Sequence, residues 1–438
     1  MLSDFLNLSM RLFWYDAGCY ICSKNHTDMN LEFFRRMLEM ESTSGTEREF
    51  AEFLWENVRA DFRERYEVGD GTLNLLFKWG EGEPQIYLCS HMDTVPPYIS
   101  PTFRDIKAGD ALPDGKIAEQ DDILITGRGS CDAKGQIFAM LEACLSVDSE
   151  RANGTFGLET CDPHLDGKST DRISLRDLPP QEIDSQNVRP ELENSTMSDD
   201  RTPAFALLLL SGEETGSYGA KAYTRDCSGG KWLVVGEPTD NKMVTASKGT
   251  KSFGLTIKGK PCHSGYPELG TSAVDKFVGF VNALRQVDFP VDPTLGPTTW
   301  NIGKLISDNP QNILSPELKF RIYFRTTFLT DDMVTEWMRE TAKEHGYILE
   351  EYGGDTPMRY DTLDNFETTP VAFGSDTPRM TKFIHRSLCG PGSIFVAHTP
   401  DEYILKSDLD KAIDQYRLMI YSSFASAKHR LWSPRGRK

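Results

Sequence analysis

Residues 205–216 have the sequence Phe-Ala-Leu-Leu-Leu-Leu-Ser-Gly-Glu-Glu-Thr-Gly. The apolar run has the length of a strand and ends in a small polar turn, which predicts a strand buried on both faces in a parallel sheet. Glu213 and Glu214 then follow its carboxyl end, the edge where open α/β sheets bind ligands. Carboxylates beside an apolar strand are costly unless something such as a metal ion compensates them. The alternative is a solvated turn after a core strand.

Successive side chains of an extended chain point in opposite directions. We therefore expect two different roles for Glu213 and Glu214. The direction of the side chains alone does not say which glutamate has which role.

Length and composition favour a globular protein of two domains without a nucleic-acid or membrane partner. A chain of 438 residues is too long to fold around one compact core. Its composition, with 39% hydrophobic and 26% charged residues, is typical of a globular protein. The formal net charge of −18 argues against nucleic acid and anionic membranes as partners. It fits chemistry on a small molecule.

The nine cysteines form an odd, scattered set, which favours a reducing compartment and predicts a cytoplasmic protein. Cys19 and Cys22 are the one close pair, and a zinc or redox role for them is an alternative. No apolar run reaches the ~18 residues that span a bilayer. Residues 1–28 precede the first clear element and are expected to be an extension outside the fold.

The order of elements predicts a catalytic domain in two parts, residues 29–248 and 363–438. Residues 146–203 are acidic and rich in Ser, Asp and Pro, which predicts a flexible insertion. Residues 249–362 follow the order strand, helix, two strands, helix, strand, which predicts an inserted α+β domain. Near the end of the chain we expect a helix over 380–388, a strand over 393–396 and a helix over 405–424.

Polar side chains follow several short apolar strands or open helices. His91 and Asp93 lie two residues apart, so in an extended segment they share one face. This pair suits a metal-ligating imidazole with an orienting carboxylate, or an ordinary loop with local hydrogen bonds. Asp132 precedes a predicted helix and could equally be its cap. The full set is His91, Asp93, Asp132, Glu213, Glu214, Glu237 and His398.

Two histidines with several carboxylates and no cysteine suit zinc, or cobalt or manganese. Two metal ions about 3.5–4 Å apart, bridged by one carboxylate, would use five of these ligands. Asp93 and one glutamate would remain for orientation and proton transfer.

Five motifs in this order resemble those of the dinuclear zinc deacylases and exopeptidases, a family that includes acetylornithine deacetylase, succinyl-diaminopimelate desuccinylase, aminoacylase and several di- and carboxypeptidases. The resemblance covers residues from about 29 to the C-terminus, without the insertion. The motifs are His91-Met-Asp-Thr-Val-Pro, Gly127-Arg-Gly-x-x-Asp-x-Lys-Gly, Glu213-Glu-x-Gly-Ser-x-Gly-Ala, Gly236-Glu-Pro-Thr and His398-Thr-Pro-Asp-Glu-Tyr.

The resemblance implies a zinc-hydrolase domain with a central mixed, mostly parallel sheet flanked by helices, and a ferredoxin-like lid or dimerisation domain. It implies that Asp132 bridges two zinc ions, with His91 and Glu237 on one and Glu214 and His398 on the other. The resemblance also implies roles for further residues: Glu213 as general base and acid, Asp93 as orienting group, His263 at the oxyanion, and Asn312, Arg325, Gly374 and Ser375 at the substrate carboxylate.

The implied activity is hydrolysis of an amide by metal-activated water. We expect first a deacetylase of N-acyl amino acids such as acetylornithine, acting in arginine biosynthesis as a homodimer. The alternative is an exopeptidase with the same site, acting on dipeptides or C-terminal residues. A non-catalytic relative would lack a ligand or the base, and this sequence has them all.

Overall fold

The structure, a computed structural model, describes residues 30–69, 71–153, 204–364, 366–424 and 432–433. The predicted extension 1–28, with Cys19 and Cys22, lies outside the described residues. Up to residue 242 the elements are α1 (Leu31–Glu39), α2 (Arg48–Asn57), β1 (Phe62–Val68), β2 (Thr72–Trp79), β3 (Ile86–His91), β4 (Thr102–Ile106), β5 (Asp122–Thr126), α3 (Lys134–Ala152), β6 (Phe205–Leu210), α4 (Tyr218–Asp226) and β7 (Trp232–Val235).

From residue 243 onwards the chain forms mostly strands, with three further helices. The elements are β8 (Met243–Ser247), β9 (Gly249–Lys258), α5 (Ala273–Arg285), β10 (Thr299–Ile306), β11 (Glu317–Thr326), α6 (Asp331–His345), β12 (Ile348–Gly353), β13 (Met358–Arg359), β14 (Thr362–Leu363), β15 (Thr368–Val371), β16 (His385–Leu388), β17 (Tyr403–Leu405), α7 (Lys406–Phe424) and β18 (Trp432–Ser433). No helix in the described ranges is long and apolar enough to cross a membrane.

The chain divides into two compact units. The first contains the described residues within 1–242, 363–365 and 379–433, and the second those within 243–362 and 366–378. Gly374 and Ser375 thus lie in the second unit, although the sequence assigned residues 363–438 to the catalytic domain.

A six-stranded sheet in the order β1-β2-β6-β3-β7-β16 organises the first unit. Strands β6, β3, β7 and β16 are parallel to one another, whereas β1 and β2 run antiparallel at one side. Every residue of β3, β6 and β7 is buried, as expected for strands covered on both faces. Helix α3 packs on β3 and β6, and α7 packs on α3. The predicted α/β class with a mixed, mostly parallel sheet is confirmed.

A second, three-stranded sheet of the first unit has the order β17-β5-β4. Its strand β17 pairs antiparallel with β5, so that Tyr403 lies opposite Thr126. This pairing brings the segment after His398 next to the segment that leads to Asp132.

The second unit contains an antiparallel sheet in the order β10-β11-β9-β12 with helices α5 and α6. The chain order β9-α5-β10-β11-α6-β12 is the βαββαβ pattern that the sequence predicted. Alternating side chains of β9 and β11 form its core with α5 and α6, including Phe253, Leu255, Phe280, Phe320 and Met338.

Three local predictions were wrong. Residues 385–388 form strand β16 rather than part of a helix, because they pair with β7 in the parallel sheet. Residues 394–398 form turns rather than a strand. Residues 146–152, assigned to the flexible insertion, are the last residues of helix α3, which ends at Ala152. Residues 154–203 of the insertion lie outside the described part of the chain.

Candidate metal centre

The candidate site lies where the parallel strands of the first unit end. His91 is the last residue of β3, and Glu213 and Glu237 follow β6 and β7 by a few residues. Strand register places His91 beside Leu210, and Cys89 beside Val235. The three segments therefore leave the sheet at the same edge, as the sequence predicted.

A glycine allows the turn that carries the two glutamates. Gly212 has φ +67°, a conformation that side chains with a Cβ rarely adopt, and a Cβ there would lie 2.9 Å from the Tyr218 ring. The chain can therefore turn sharply after β6.

The two carboxylate oxygens of Asp132 face different histidines. Oδ1 lies 3.1 Å from Nε2 of His91, and Oδ2 lies 3.2 Å from Nε2 of His398. A second carboxylate accompanies each histidine: Glu237 Oε2 is 3.9 Å from His91 Nε2, and Glu214 Oε1 is 2.8 Å from His398 Nε2. The five predicted ligands thus form two groups that share Asp132.

The two groups differ in access to solvent. The side chain of His91 is 2% exposed and that of Glu237 5%, whereas that of His398 is 48% exposed. One side of the site is therefore buried, and the other is open at His398.

Asp93 is fully buried and connects β3 with the turn after β6. Its Oδ1 accepts the backbone N–H of Glu213 at 3.0 Å, and its Oδ2 accepts that of Glu214 at 3.1 Å. The hydroxyl of Ser44 donates to the same Oδ2 at 2.7 Å. On the other side, Asp93 Oδ1 is 3.4 Å from His91 Nδ1, and the backbone carbonyl of Asp93 is 2.9 Å from the same nitrogen. Asp93 therefore fixes the ring of His91 and the backbone of both glutamates.

The electrostatics of the site are those of crowded carboxylates. Burial lowers the pKa of His91, but its contacts with Asp132 and Asp93 outweigh burial and raise the pKa well above its usual value. Hydrogen bonds with Asp132 and Glu214 raise the pKa of His398 to about 10. Burial raises the pKa of Glu237 well above its usual value, and the charges of Asp132, Glu213 and Glu214 add to this. Without another cation, protons would occupy these ligands.

The residues fit a metal ion. Oε1 of Glu237 is buried and has no hydrogen-bond partner, which is costly for a carboxylate oxygen unless something else binds it. Imidazole nitrogens and carboxylate oxygens are ligands of zinc and of manganese or cobalt. One atom each of His91, Asp132 and Glu214 lie within 4.8 Å of one another, close enough to hold one ion. The pairwise distances group Glu214 with His398 and Glu237 with His91, so that each of the five residues belongs to one of the two groups or, as Asp132 does, to both.

The remaining predicted site residues lie in the second unit. His263 is exposed, and its Nδ1 accepts the backbone N–H of Gly265 at 3.0 Å. Asn312 is exposed and Arg325 half-buried, while Gly374 and Ser375 precede a short helical turn. The hydroxyl of Ser375 donates to the Thr377 hydroxyl at 2.9 Å. The roles of these five residues stay predictions.

Two residues near the site were not predicted to have a role there. Ser44 lies in the segment between α1 and α2, and Glu402 follows His398 in the last motif. The motif contains Glu402 but gave it no role, and nothing in the local sequence singles out Ser44, because the partners of both residues are distant in the chain.

Comparisons with known proteins support the family resemblance of the chain. Residues 245–350 match the peptidase dimerisation domain of the M20 type. The chain is 27% identical, over 91% of its length and 86% of the relative's, to a probable carboxypeptidase of Talaromyces marneffei. A crystal structure of a tripeptidase from Staphylococcus aureus has a TM-score of 0.63 with 19% identity and covers 91% of this chain and 98% of that one.

A metallo-carboxypeptidase of the M20 family from Sulfolobus solfataricus has the same fold, with a TM-score of 0.55, 14% identity, and coverage of 90% of this chain and 99% of that one. These matches confirm the resemblance drawn from the motifs. The chain is a hydrolase of amide bonds, and its residues 245–350 match the dimerisation domain of M20 peptidases.

Proposed function

We propose that this protein is a metal-dependent exopeptidase that releases the C-terminal residue of short peptides. The observation that carries the proposal is Asp132, whose two oxygens each face a different histidine with its own carboxylate. Such an arrangement suits two ions that share a bridging ligand. Relatives named probable carboxypeptidases, similar over most of the chain, support the choice of peptides as substrates.

Two zinc ions are the proposed cofactors, with cobalt or manganese as substitutes. His91, Asp132 and Glu237 would hold one ion, and His398, Asp132 and Glu214 the other. When bound, the ions would polarise the scissile carbonyl and make water acidic enough to ionise near neutral pH.

The proton transfers belong to Glu213 in this proposal. Its backbone is fixed by Asp93, so its side chain starts from a defined position beside the ligands. Glu213 would take a proton from the attacking water and return it to the leaving amine. A mutated base should therefore reduce turnover without removing the ions.

A second candidate function is the removal of an acyl group from an N-acyl amino acid, with acetylornithine as the first substrate to test. The Gly236-Glu237-Pro238-Thr239 motif and the net charge of −18, which would attract a cationic side chain, favour it. The relatives favour the exopeptidase, which we therefore rank first.

The dimerisation domain supports a homodimer as the proposed assembly. The cysteines in the described ranges are free, which supports the cytoplasm as the proposed location.

Five substrates, four of which share a leucine residue, would test the proposed function. They are Gly-Leu, N-acetyl-Gly-Leu, Gly-Leu-amide, N-acetyl-leucine and, for the deacylase, N-acetylornithine. A carboxypeptidase or dipeptidase cleaves Gly-Leu at a free carboxyl end and does not cleave Gly-Leu-amide; cleavage of N-acetyl-Gly-Leu distinguishes a carboxypeptidase from a dipeptidase. Rapid hydrolysis of N-acetylornithine alone would support the deacylase and contradict the exopeptidase.

A further inference from the structure

Glu402 lies 1% exposed beneath the segment that carries Asp132. One oxygen, Oε1, accepts three backbone N–H groups: those of Gly129 at 2.9 Å, Cys131 at 3.1 Å and Asp132 at 3.0 Å. The other oxygen, Oε2, accepts a hydrogen bond from the guanidinium of Arg128 at 2.5 Å. The side chain of Glu402 thus binds four of the five residues 128–132, the loop that leads to the proposed bridging ligand.

The pairing of two strands puts Glu402 in this place. Strand β17 begins directly after Glu402, and its Tyr403 lies opposite Thr126, the last residue of β5. The backbone N–H of Gly127 donates to the carbonyl of Glu402 at 3.1 Å. The loop after β5 therefore starts against Glu402 and folds around its carboxylate.

The buried ion pair of Arg128 and Glu402 is a poor way to stabilise the fold, which suggests that it has another role. Arg128 and Glu402 are both almost fully buried, and a buried ion pair adds little stability compared with apolar residues of similar volume. Three N–H groups on one carboxylate oxygen, in contrast, fix the position of a backbone. That backbone carries Asp132, whose two oxygens face His91 and His398.

We infer that Glu402 is a positioning residue for the metal centre: it holds the backbone of Asp132 so that the carboxylate can serve both histidine groups. The inference rests on the proposed function of these ligands. Glu402 itself contacts neither histidine in the described structure, so its effect passes through Asp132.

Two double variants separate this role from that of a simple core ion pair. Glu402→Gln with Arg128→Met removes both charges but keeps a carbonyl oxygen for the three N–H groups. Glu402→Leu with Arg128→Met also removes both charges, but no acceptor remains. Asp401→Asn is a control, because Asp401 is an exposed neighbour with the same charge.

Cobalt binding to the metal-free proteins, followed by visible absorption, is the readout, with circular dichroism to establish folding. We expect the Gln variant and the Asp401 control to bind cobalt within about threefold of wild type. The Leu variant should bind about 10–100-fold more weakly, the range for lost partners of metal ligands, with an altered spectrum. Its kcat on the best substrate should fall more than its KM rises.

Equal cobalt affinity and spectra in both folded double variants would overturn the inference. If the Leu variant does not fold, Glu402→Asp replaces it, because the shorter side chain keeps the charge and withdraws the oxygen; wild-type cobalt binding in that variant would also overturn the inference. Failure of the proposed function is distinguishable, because a wild-type protein that binds cobalt but cleaves none of the five substrates leaves this comparison intact.

Discussion

The backbone N–H of Glu213 donates to Oδ1 of Asp93 over a distance of 3.0 Å. This bond joins two segments that are 120 residues apart in the chain. It ties the turn after β6 to the loop after β3, so the carboxylate of Asp93 positions both Glu213, the proposed base, and His91, a proposed metal ligand.

Replacement of Asp93 by Asn tests this connection. The amide puts an N–H₂ donor where one oxygen now accepts hydrogen bonds, so a backbone N–H of Glu213 or Glu214 loses its acceptor. We expect metal affinity to fall about 10–100-fold, measured by competition with a chelator. Ser44→Ala is the matched control, since it removes only the hydroxyl bond to Asp93 and should change affinity by less than about threefold. Equal affinity for Asp93→Asn and wild type would contradict this account.

The two neighbouring glutamates should respond differently to the same substitution. Glu213→Gln should lower kcat by about 10²–10⁴-fold with full metal content, because the proton acceptor is lost. Glu214→Gln should lower the metal content, because Glu214 accompanies His398 at 2.8 Å. Metal analysis and kcat, measured on the same samples, check both. The assignment is wrong if Glu213→Gln loses metal and Glu214→Gln keeps it.

Metal binding should release protons. Contacts with Asp132 and Glu214 raise the pKa of His398 to about 10, so its imidazole is protonated at neutral pH in the metal-free protein, and a metal ion must displace that proton. Affinity should therefore rise with pH between about 6 and 9. Calorimetry in two buffers of different ionisation enthalpy measures the number of protons released. A heat of metal binding that is the same in both buffers would contradict the predicted proton release.

The same histidine makes the stability of the metal-free protein depend on pH. Its pKa is raised in the folded state from 6.5, so the contribution to stability is fully present below about pH 6.5 and is lost as the pH rises towards about 10. The thermal midpoint of the metal-free protein should fall over this interval. His398→Asn should reduce that fall.

Asp408 is not one of the proposed metal ligands. Its ionised carboxylate should destabilise the folded protein at neutral pH. Burial raises its pKa from 3.8 to about 6, and Asp122 and Asp240 add to this. Folding thus favours the protonated form of Asp408. The contribution of this form to the free energy of unfolding is fully present below about pH 4 and is lost as the pH rises through about 6. Asp408→Asn should raise the free energy of unfolding at pH 7.5 by about 1–3 kcal/mol and have little effect at pH 4.

Asp410→Asn is the matched control for that comparison. Asp410 is exposed on the same helix and pairs with Lys406, so its replacement should change stability by less than about 0.5 kcal/mol at either pH. Denaturant unfolding at pH 4 and 7.5 measures both variants. An equal gain for both at pH 7.5 would mean that net charge, rather than burial of Asp408, is responsible.

The sequence predicted the sheet edge because β6 and β7 are apolar throughout, β3 is apolar up to Cys89, and polar residues follow each apolar run. Parallel strands bring such ends together whatever the rest of the fold, so His91, Glu213 and Glu237 could be placed at one edge. The pairing of ligands depended on the resemblance, since alternation alone did not distinguish Glu213 from Glu214.

Long-range pairing accounts for what the sequence did not predict. Residues 385–388 have no strong strand pattern, and they form β16 because β7 offers them a free parallel edge. Strand β1, Phe62–Val68, contains four charged residues at the opposite edge of the sheet, and most of its side chains are exposed or half-buried. Glu402 binds residues about 270 positions earlier in the chain, a relation that no local pattern records.

The most direct test of the central claim is a metal titration of the metal-free wild-type protein, with hydrolysis of N-acetyl-Gly-Leu as the readout. The account predicts no measurable hydrolysis without metal, and activity that rises until about two equivalents of zinc or cobalt are bound, as expected for two ions that share Asp132. Release of free leucine should follow the same curve. Full hydrolysis by the metal-free protein, or stoichiometric binding of two ions with none of the five substrates cleaved, would contradict it.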